Sequence, residues 1–386
     1  MTRPPLLAVC QGGHPSGYRR VMDSILAEPA IAAAFETVLF APRDGPVRVD
    51  PFGRERLPGV LRAVAPSVVL VLGDATYYAV LRDAVEEHRR RRPETRVVVY
   101  CPVDWTTLVR AVPQSLAAAD QVVAYTEFGR RTLARAFAAA GVRAPPIAVI
   151  PHGVDTATFR PLGHRRRDDA FVVLNANRNI HRKRIDLTLR GFALFARGRP
   201  RARLYLHMGM RDHGCDVRAL ARELGIGDRL LTTTGADTHP AVSDERLNLI
   251  YNACDVGLNT CEAEGWGLVS FEHAATGAPQ VVPAGSACAE LWAGAGTLVP
   301  ATPTARGGHE VSLEDVAAAL GRLHDDPGPA AEVGARARAH ARSRRFAWSA
   351  IAGRWMEVLT ATSDRSRTEL ARVLAPELRE SDAATA

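Results

Sequence analysis

The chain predicts an α/β protein built of two doubly wound, Rossmann-like parallel-sheet domains. Short apolar runs of strand length alternate with stretches of helical spacing, and the series occurs twice. Glycine-containing turns join strand to helix, as at Gln11-Gly12-Gly13 and Glu264-Gly265-Trp266-Gly267. Between the two series, residues 162–170 are polar and lose periodicity. These features divide the chain into a first domain over 1–161, a linker over 162–170 and a second domain over 171–345. Ligands of such sheets sit beyond the carboxyl ends of the strands, so two facing sheets predict one interdomain cleft.

Taken in order, residues 6–10 read as the first strand, then a glycine-rich turn and a helix over about 19–26. Strands follow at 36–41 and 68–72, with Asp74 just beyond the second. A helix over 77–92 stops at its arginine run and Pro93. The strand 96–101 leads into Pro102-Val103-Asp104-Trp105, where a polar side chain points to the ligand side. Asp104 is either a hydroxyl contact or a helix cap. A strand at 121–125 and a helix over 127–140 closed by Gly141 end the first series.

The second series opens with a strand at 171–175 and a loop carrying Arg178 and Lys183. Ile185, Leu189, Phe192 and Phe195 then share one helical face. Strands at 203–208, 230–233 and 255–259, a helix over 245–254, and strands at 280–283 and 297–300 complete it. Helices are predicted over 311–323, 330–343 and 346–359, and a weak amphipathic stretch continues to about 379.

The stretch 261–279 carries the chemistry. A strand, a turn with two glycines and a helix over 268–276 place free amide groups and a helix dipole at a strand's carboxyl end. Glu264 and Glu272 bracket that turn, eight positions apart. An anion seat flanked by carboxylates suits a ligand with phosphate and hydroxyls, such as a nucleotide sugar.

Bulk composition bounds the remaining classes. A length of 386 residues, 47% hydrophobic and 24% charged, is ordinary for a soluble protein of two or three domains. No run is long and apolar enough to span a bilayer, and the N-terminus lacks a secretory signal, so a cytoplasmic enzyme is expected. The net charge of +7 is scattered, with runs at 89–92, 165–167 and 342–345 that read as solvated helix ends and loops. Aromatic content of 6% argues against a nucleic-acid stacking platform, and no nucleic-acid partner is expected. Cys10, Cys101, Cys215, Cys254, Cys261 and Cys288 show no CxxC spacing and read as small buried hydrophobes. The histidines form no zinc motif. Lys183 is the single lysine among 49 basic residues. A position that keeps lysine in an arginine-rich chain needs a compact ammonium, or keeps it by chance.

The segment from Glu264 to Glu272 followed by Ala275-Thr-Gly-Ala-Pro279 resembles the Glu-x7-Glu signature of retaining glycosyltransferases of family 4, which have the GT-B fold. Arg178 and Lys183 match that family's diphosphate-binding pair, with Asn177 and Arg184 where glycines are usual. Ile150-Pro151-His152-Gly153-Val154-Asp155 with Phe159-Arg160-Pro161 resembles its inter-domain signature, and Phe346-Ala347-Trp348 its Phe-x-Trp. The resemblance implies that the helix over 346–362 returns to the first domain and that 363–386 is a tail.

It also implies roles. Lys183 and Arg178 would hold the donor diphosphate, and Gly12 and Gly13 would lie beneath it. Gly267, Leu268 and Val269 would offer the helix start. Glu264 would bind the transferred sugar, Glu272 the ribose. His14, Tyr18, Asp74 and Asp104 are acceptor candidates, though Tyr18 can equally pack into the domain. Catalysis would fall to Glu264, Asp104, Lys183 and Arg178, with no cofactor and no metal; no Asp-x-Asp motif is present. The expected partners are a nucleoside diphosphate sugar and a small acceptor. The Pro15-Ser16-Gly17-Tyr18 loop, the Asn177-Arg178-Asn179 start and an Arg- and Ala-rich, GC-biased composition look similar to actinomycete antibiotic glycosyltransferases, which implies an aminocyclitol or pseudodisaccharide. A lipid or polysaccharide acceptor is the alternative, with peripheral membrane contact through Arg130, Arg131 and Arg135. A glycosidase would leave Arg178 and Lys183 idle. A non-catalytic nucleotide-sugar-binding protein would not need every donor residue.

Overall fold

A computed structural model describes residues 2–13, 16–43, 50–163 and 169–361. His14, the arginine run 165–167 and the tail 363–386 lie outside the described residues. The chain forms two compact units. Unit 1 comprises Met1–Val103, Leu108–Pro151 and Trp348–Ala386, and unit 2 comprises Asp104–Thr107 and His152–Ala347.

Unit 1 holds a six-stranded parallel sheet ordered β2-β1-β3-β4-β5-β6. Its strands are β1 Pro5–Cys10, β2 Glu36–Phe40, β3 Val68–Leu72, β4 Arg96–Cys101, β5 Gln121–Ala124 and β6 Ile147–Val149. β1, β3 and β4 are near-continuous apolar runs because helices cover both faces of such a sheet. The helix Glu127–Ala140 shows how sequence sets the limits. Thr126 caps its start by accepting the Gly129 amide at 3.1 Å, and Gly141 ends it at φ +66°. Arg130, Arg131 and Arg135 are exposed on it. The helix Trp348–Thr360 packs within unit 1: Trp355 meets Tyr100 edge-on at 4.8 Å, and Arg96 Nε donates to Val358 O at 3.1 Å.

Unit 2 repeats the plan with the order β12-β11-β10-β7-β8-β9. The strands are β7 Phe171–Asn175, β8 Ala202–Leu206, β9 Leu230–Thr232, β10 Val256–Leu258, β11 Gln280–Pro283 and β12 Thr297–Val299. In each sheet the order reverses once, between β1 and β3 and between β10 and β7. Loops leaving the two strands at a reversal diverge to opposite faces and open a crevice at their carboxyl ends.

Three features differ from the sequence reading. Residues 152–161, expected in the first domain, pack in unit 2. Asn248 Oδ1 accepts the Arg160 amide at 3.1 Å, and Phe159 lies 5.7 Å from the Tyr251 ring. The helix expected from residue 311 does not start there. His309–Val311 forms β14 and pairs antiparallel with β13, Ala301–Pro303; the helix begins at Leu313. Three-residue strands are too short to display a two-residue period. Finally, Arg89 is not solvated. It is 3% exposed and donates from Nη2 to Asp120 Oδ1 at 2.8 Å, while Asp120 Oδ2 accepts the Val97 amide at 2.7 Å.

Among the described residues, no helix is long and apolar enough to cross a membrane. Every cysteine is a free thiol, and all but Cys215 are buried.

The Arg89–Asp120 pair ties the helix Tyr77–Arg91 to the β4–β5 edge. Asp120→Ala would take from a buried guanidinium its close carboxylate, leaving it Ala118 O at 3.0 Å and Glu86 at 3.7 Å, so it is expected to destabilise the folded state by about 3–5 kcal/mol, measured by urea denaturation.

Candidate functional site

The site is built where the order of the unit 2 sheet reverses. β7 ends at Asn175 and β10 at Leu258, and each is followed by an asparagine-stabilised turn. Asn175 Oδ1 accepts the Asn177 amide at 3.0 Å, and Asn259 Oδ1 accepts the Cys261 amide at 3.0 Å. A buried polar chain stitches the two turns together. Asn175 Nδ2 donates to Thr188 Oγ1 at 2.9 Å, Thr188 Oγ1 lies 2.6 Å from Thr260 Oγ1, and Thr260 Oγ1 donates to Arg184 O at 2.9 Å.

This stitching brings Lys183 onto Glu264. Lys183 closes a short 3₁₀ turn, His181–Lys183, and donates from Nζ to Glu264 Oε2. Both side chains are buried, Lys183 at 8% exposure and Glu264 at 4%. Arg184 follows at φ +47°, a left-handed conformation held by its fork on Asp186 and a bond to Glu310. Glu264 is also fixed by its backbone. Its amide donates to Ser286 Oγ at 3.1 Å and its carbonyl accepts the Ala287 amide at 3.1 Å. Burial by itself would raise the Glu264 carboxyl, but the charges of Lys183 and Arg182 and their hydrogen bonds override it. The carboxyl is held well below the usual range.

The turn then passes Gly267, at φ +90° and ψ 60°, into the helix Leu268–Ala275. Leu268 and Val269 occupy the first two helical positions, ahead of the first bond back to Gly267 O, from Ser270. Glu272 lies one turn further, 4% exposed, and accepts from Tyr251 Oη at 2.9 Å. An aromatic cluster supports the turn from below. Trp266 stacks on Phe271 at 4.8 Å and meets His152 edge-on at 5.2 Å, and Phe271 packs on Trp292 and Phe346, each at 4.9 Å. Burial lowers the His152 imidazole to about 3, so it packs as a neutral ring.

Arg178 is not drawn into the Lys183–Glu264 pair. Its side chain is half exposed and its guanidinium forks onto Asp212, Nε to Oδ2 at 2.6 Å and Nη2 to Oδ1 at 3.2 Å. Asp104 lies in unit 2, not with the strand that precedes it, and its Oδ2 is 3.4 Å from Arg182 Nε.

Unit 1 has its own cluster at the β1–β3 reversal. Tyr18 Oη donates to Asp74 Oδ1 at 2.5 Å. Gln11 bonds Asp74 twice, from Nε2 to Oδ2 at 3.1 Å and at Oε1 from the Asp74 amide at 2.5 Å. Gly12 is buried beside it, where a Cβ would lie 2.0 Å from Ser16 Oγ. Gly13 is half-buried, and His14 is outside the described residues. Sequence reading missed Gln11, Arg182, Asp212, Tyr251 and Ser286. All five act through partners distant in the chain, and no local pattern marks them.

Residues 215–357 match the family described as glycosyl transferase-like. The chain is 31% identical over 284 residues to a D-inositol 3-phosphate glycosyltransferase of Thermomonospora curvata, covering 68% of this chain and 61% of that protein. It is 33% identical over 251 residues to the protein of the same name in Acidothermus cellulolyticus, covering 60% and 51%. The matched stretch thus spans roughly half to three fifths of these relatives' length. Among solved structures it is similar to a sucrose-phosphate synthase from Thermosynechococcus elongatus, with TM-score 0.73, 19% identity, and coverage of 92% and 98%. A second likeness is to an E. coli protein described as trehalose-6-phosphate bound with UDP-2-fluoro glucose, with TM-score 0.67, 13% identity, and coverage of 93% and 100%.

The buried Glu264 gives a pH test. Between about 2 and its unfolded value of 4.5 the unfolded chain holds a proton that the folded chain does not. The stabilisation is therefore complete above 4.5 and is lost as pH falls towards 2. The stability difference between wild type and Glu264→Gln, from urea unfolding, is expected to shrink steadily from about pH 5 to about pH 3. A pH-independent difference would contradict the assignment.

The two six-stranded parallel sheets give the chain the GT-B fold, and its stretch 215–357 is similar to the glycosyl transferase-like family.

Proposed function

We propose that the chain is a retaining, metal-independent glycosyltransferase of family 4. It would move a hexose or amino-hexose from a UDP-linked donor to a hydroxyl of a small cyclitol acceptor. The observation that carries this reading is the meeting of Lys183 and Glu264 beside the start of the helix Leu268–Ala275, at the sheet's order reversal.

In this reading the donor lies on unit 2. Lys183 exchanges Glu264 for the diphosphate, joined by Arg178 and by the Leu268 and Val269 amides. Glu264 is released to bind hydroxyls of the transferred sugar, and Glu272 accepts from the ribose. Negative charge grows on the diphosphate as the bond to the sugar breaks. A fixed ammonium therefore favours the transition state over the ground state. Retention would follow if the acceptor hydroxyl attacks from the face the diphosphate leaves, passing its proton to the departing phosphate.

The acceptor would be read by Tyr18 and Asp74 in unit 1, with Gln11 as support. A carboxylate at that place favours a polyol or an ammonium group, which supports an aminocyclitol or pseudodisaccharide. The relatives' name supports a cyclitol carrying phosphate instead. Release of UDP with inositol phosphate, inositol and aminocyclitol acceptors distinguishes the two.

Two substitutions test the donor site. Lys183→Ala removes a charge-assisted contact of about 1.5–3 kcal/mol, so the Kd for UDP should rise about 10- to 150-fold by calorimetry. Unchanged affinity would remove Lys183 from the site. Glu272→Ala should raise the donor KM, and turnover as fast as wild type at every donor concentration would remove the ribose role.

A further inference from the structure

Arg182 stands beside Lys183 in sequence but is turned to a different task. Its Nη1 donates to Ala263 O at 2.8 Å and lies 3.5 Å from Glu264 Oε1. Its Nε lies 3.4 Å from Asp104 Oδ2, and its carbonyl accepts the Glu262 amide at 2.8 Å. One side chain thus joins two carboxylates and the backbone of the turn between them. The Arg182 side chain is 28% exposed, so these pairs are only partly screened by water.

Asp104 reaches this place because residues 104–107 are docked on unit 2 as a short strap. The Thr106 amide and hydroxyl both donate to Gly307 O at 2.8 Å. Gly307 and Gly308, at the tip of the β13–β14 hairpin, present bare backbone to the strap. A Cβ on Gly307 would lie 2.4 Å from Thr107 Oγ1, and one on Gly308 would lie 2.9 Å from Trp105 and 2.5 Å from Glu262. The same hairpin holds Glu262, whose Oε1 accepts from Thr304 Oγ1 at 2.9 Å. The strap, the hairpin tip and the turn 261–265 form one assembly with Arg182 at its centre.

We infer that Arg182 is a positioning residue that sets the carboxylates of Asp104 and Glu264 as a fixed pair of hydrogen-bond acceptors for the hydroxyls of the transferred sugar. This rests on the reading of Glu264 as the sugar-binding group. Arginine suits the task and lysine does not, because a planar fork holds several acceptors at set angles and an ammonium is a point charge. Lys183 and Arg182 then divide the work: one leaves Glu264 for the diphosphate, the other keeps Glu264 in place when it does.

The test compares wild type, Arg182→Ala, Arg182→Lys, Asp104→Asn and the Arg182→Ala/Asp104→Asn double variant. UDP affinity is measured by calorimetry and kcat and KM by hydrolysis of UDP-sugar donors, with circular dichroism to verify folding. Trypsin cleavage after the exposed Arg110 reports release of the strap without reference to activity. UDP affinity of Arg182→Ala should stay within about 2-fold of wild type while kcat/KM for donor hydrolysis falls about 10- to 100-fold. Arg182→Lys should recover less than a tenth of that loss, and the double variant should be no worse than Arg182→Ala. Cleavage at Arg110 should quicken in Arg182→Ala. Loss of UDP affinity as large as that of Lys183→Ala would make Arg182 a phosphate ligand and overturn the inference. Multiplying losses in the double variant, full rescue by lysine, or unchanged cleavage would overturn it as well. Should wild type bind no UDP, the glycosyl-transfer reading fails, and the cleavage rates still decide whether Arg182 tethers the strap.

Discussion

The ion pair between Lys183 and Glu264 is the constraint on which the site depends. Two opposite charges share a pocket nearly closed to water, and neither tolerates loss of the other. Breaking such a pair leaves an uncompensated buried charge, which costs far more than the pair itself contributes. The pair therefore specifies geometry more than it adds stability. It holds the loop after β7 against the turn after β10, the two loops that strand order forces apart. A polyanionic ligand would satisfy Lys183 equally well and leave Glu264 to hydroxyl groups, with Arg182 at hand to balance it.

Everything around the pair limits its freedom. Ser286 and Ala287 pin the Glu264 backbone from the neighbouring strand's exit. Ser286 does so from φ +46°, a left-handed conformation that a serine adopts only when its surroundings impose it. Arg184 sits in the same region at the other loop, held by Asp186 and Glu310. Left-handed residues on both sides of the pair, held by hydrogen bonds and by the aromatic cluster of Trp266, Phe271, Trp292 and Phe346, fix its geometry.

The two units use the same architecture for different chemistry. In unit 2 the order reversal gathers two cations and two carboxylates, with amides at a helix start. In unit 1 the equivalent place carries a carboxylate braced by a phenol and an amide side chain, with no cation pairing Asp74 among the described residues. By charge alone, a diphosphate would suit the first and be repelled by the second, where a polyol or amine would fit. The division of labour between donor and acceptor would thus be written in charge, on two copies of one fold.

Much of this was legible in the chain. Apolar runs of five or six residues mark buried parallel strands, because no other environment accepts them on both faces. Glycines and capping residues mark where helices start and stop, as at Thr126 and Gly141, because these are local backbone demands. The single lysine and the spaced glutamates marked one candidate site. Only the tertiary structure decided which charges meet. It turned Arg178 onto Asp212, brought Asp104 to Arg182, buried Arg89 against Asp120 and set three-residue strands into a hairpin. Each of those outcomes depends on partners from 31 to 78 positions away or on strands too short to show a period. Periodicity and propensity are properties of neighbours in sequence, whereas pairing of charges is a property of neighbours in space, and the strand order that makes them neighbours is written in no single segment.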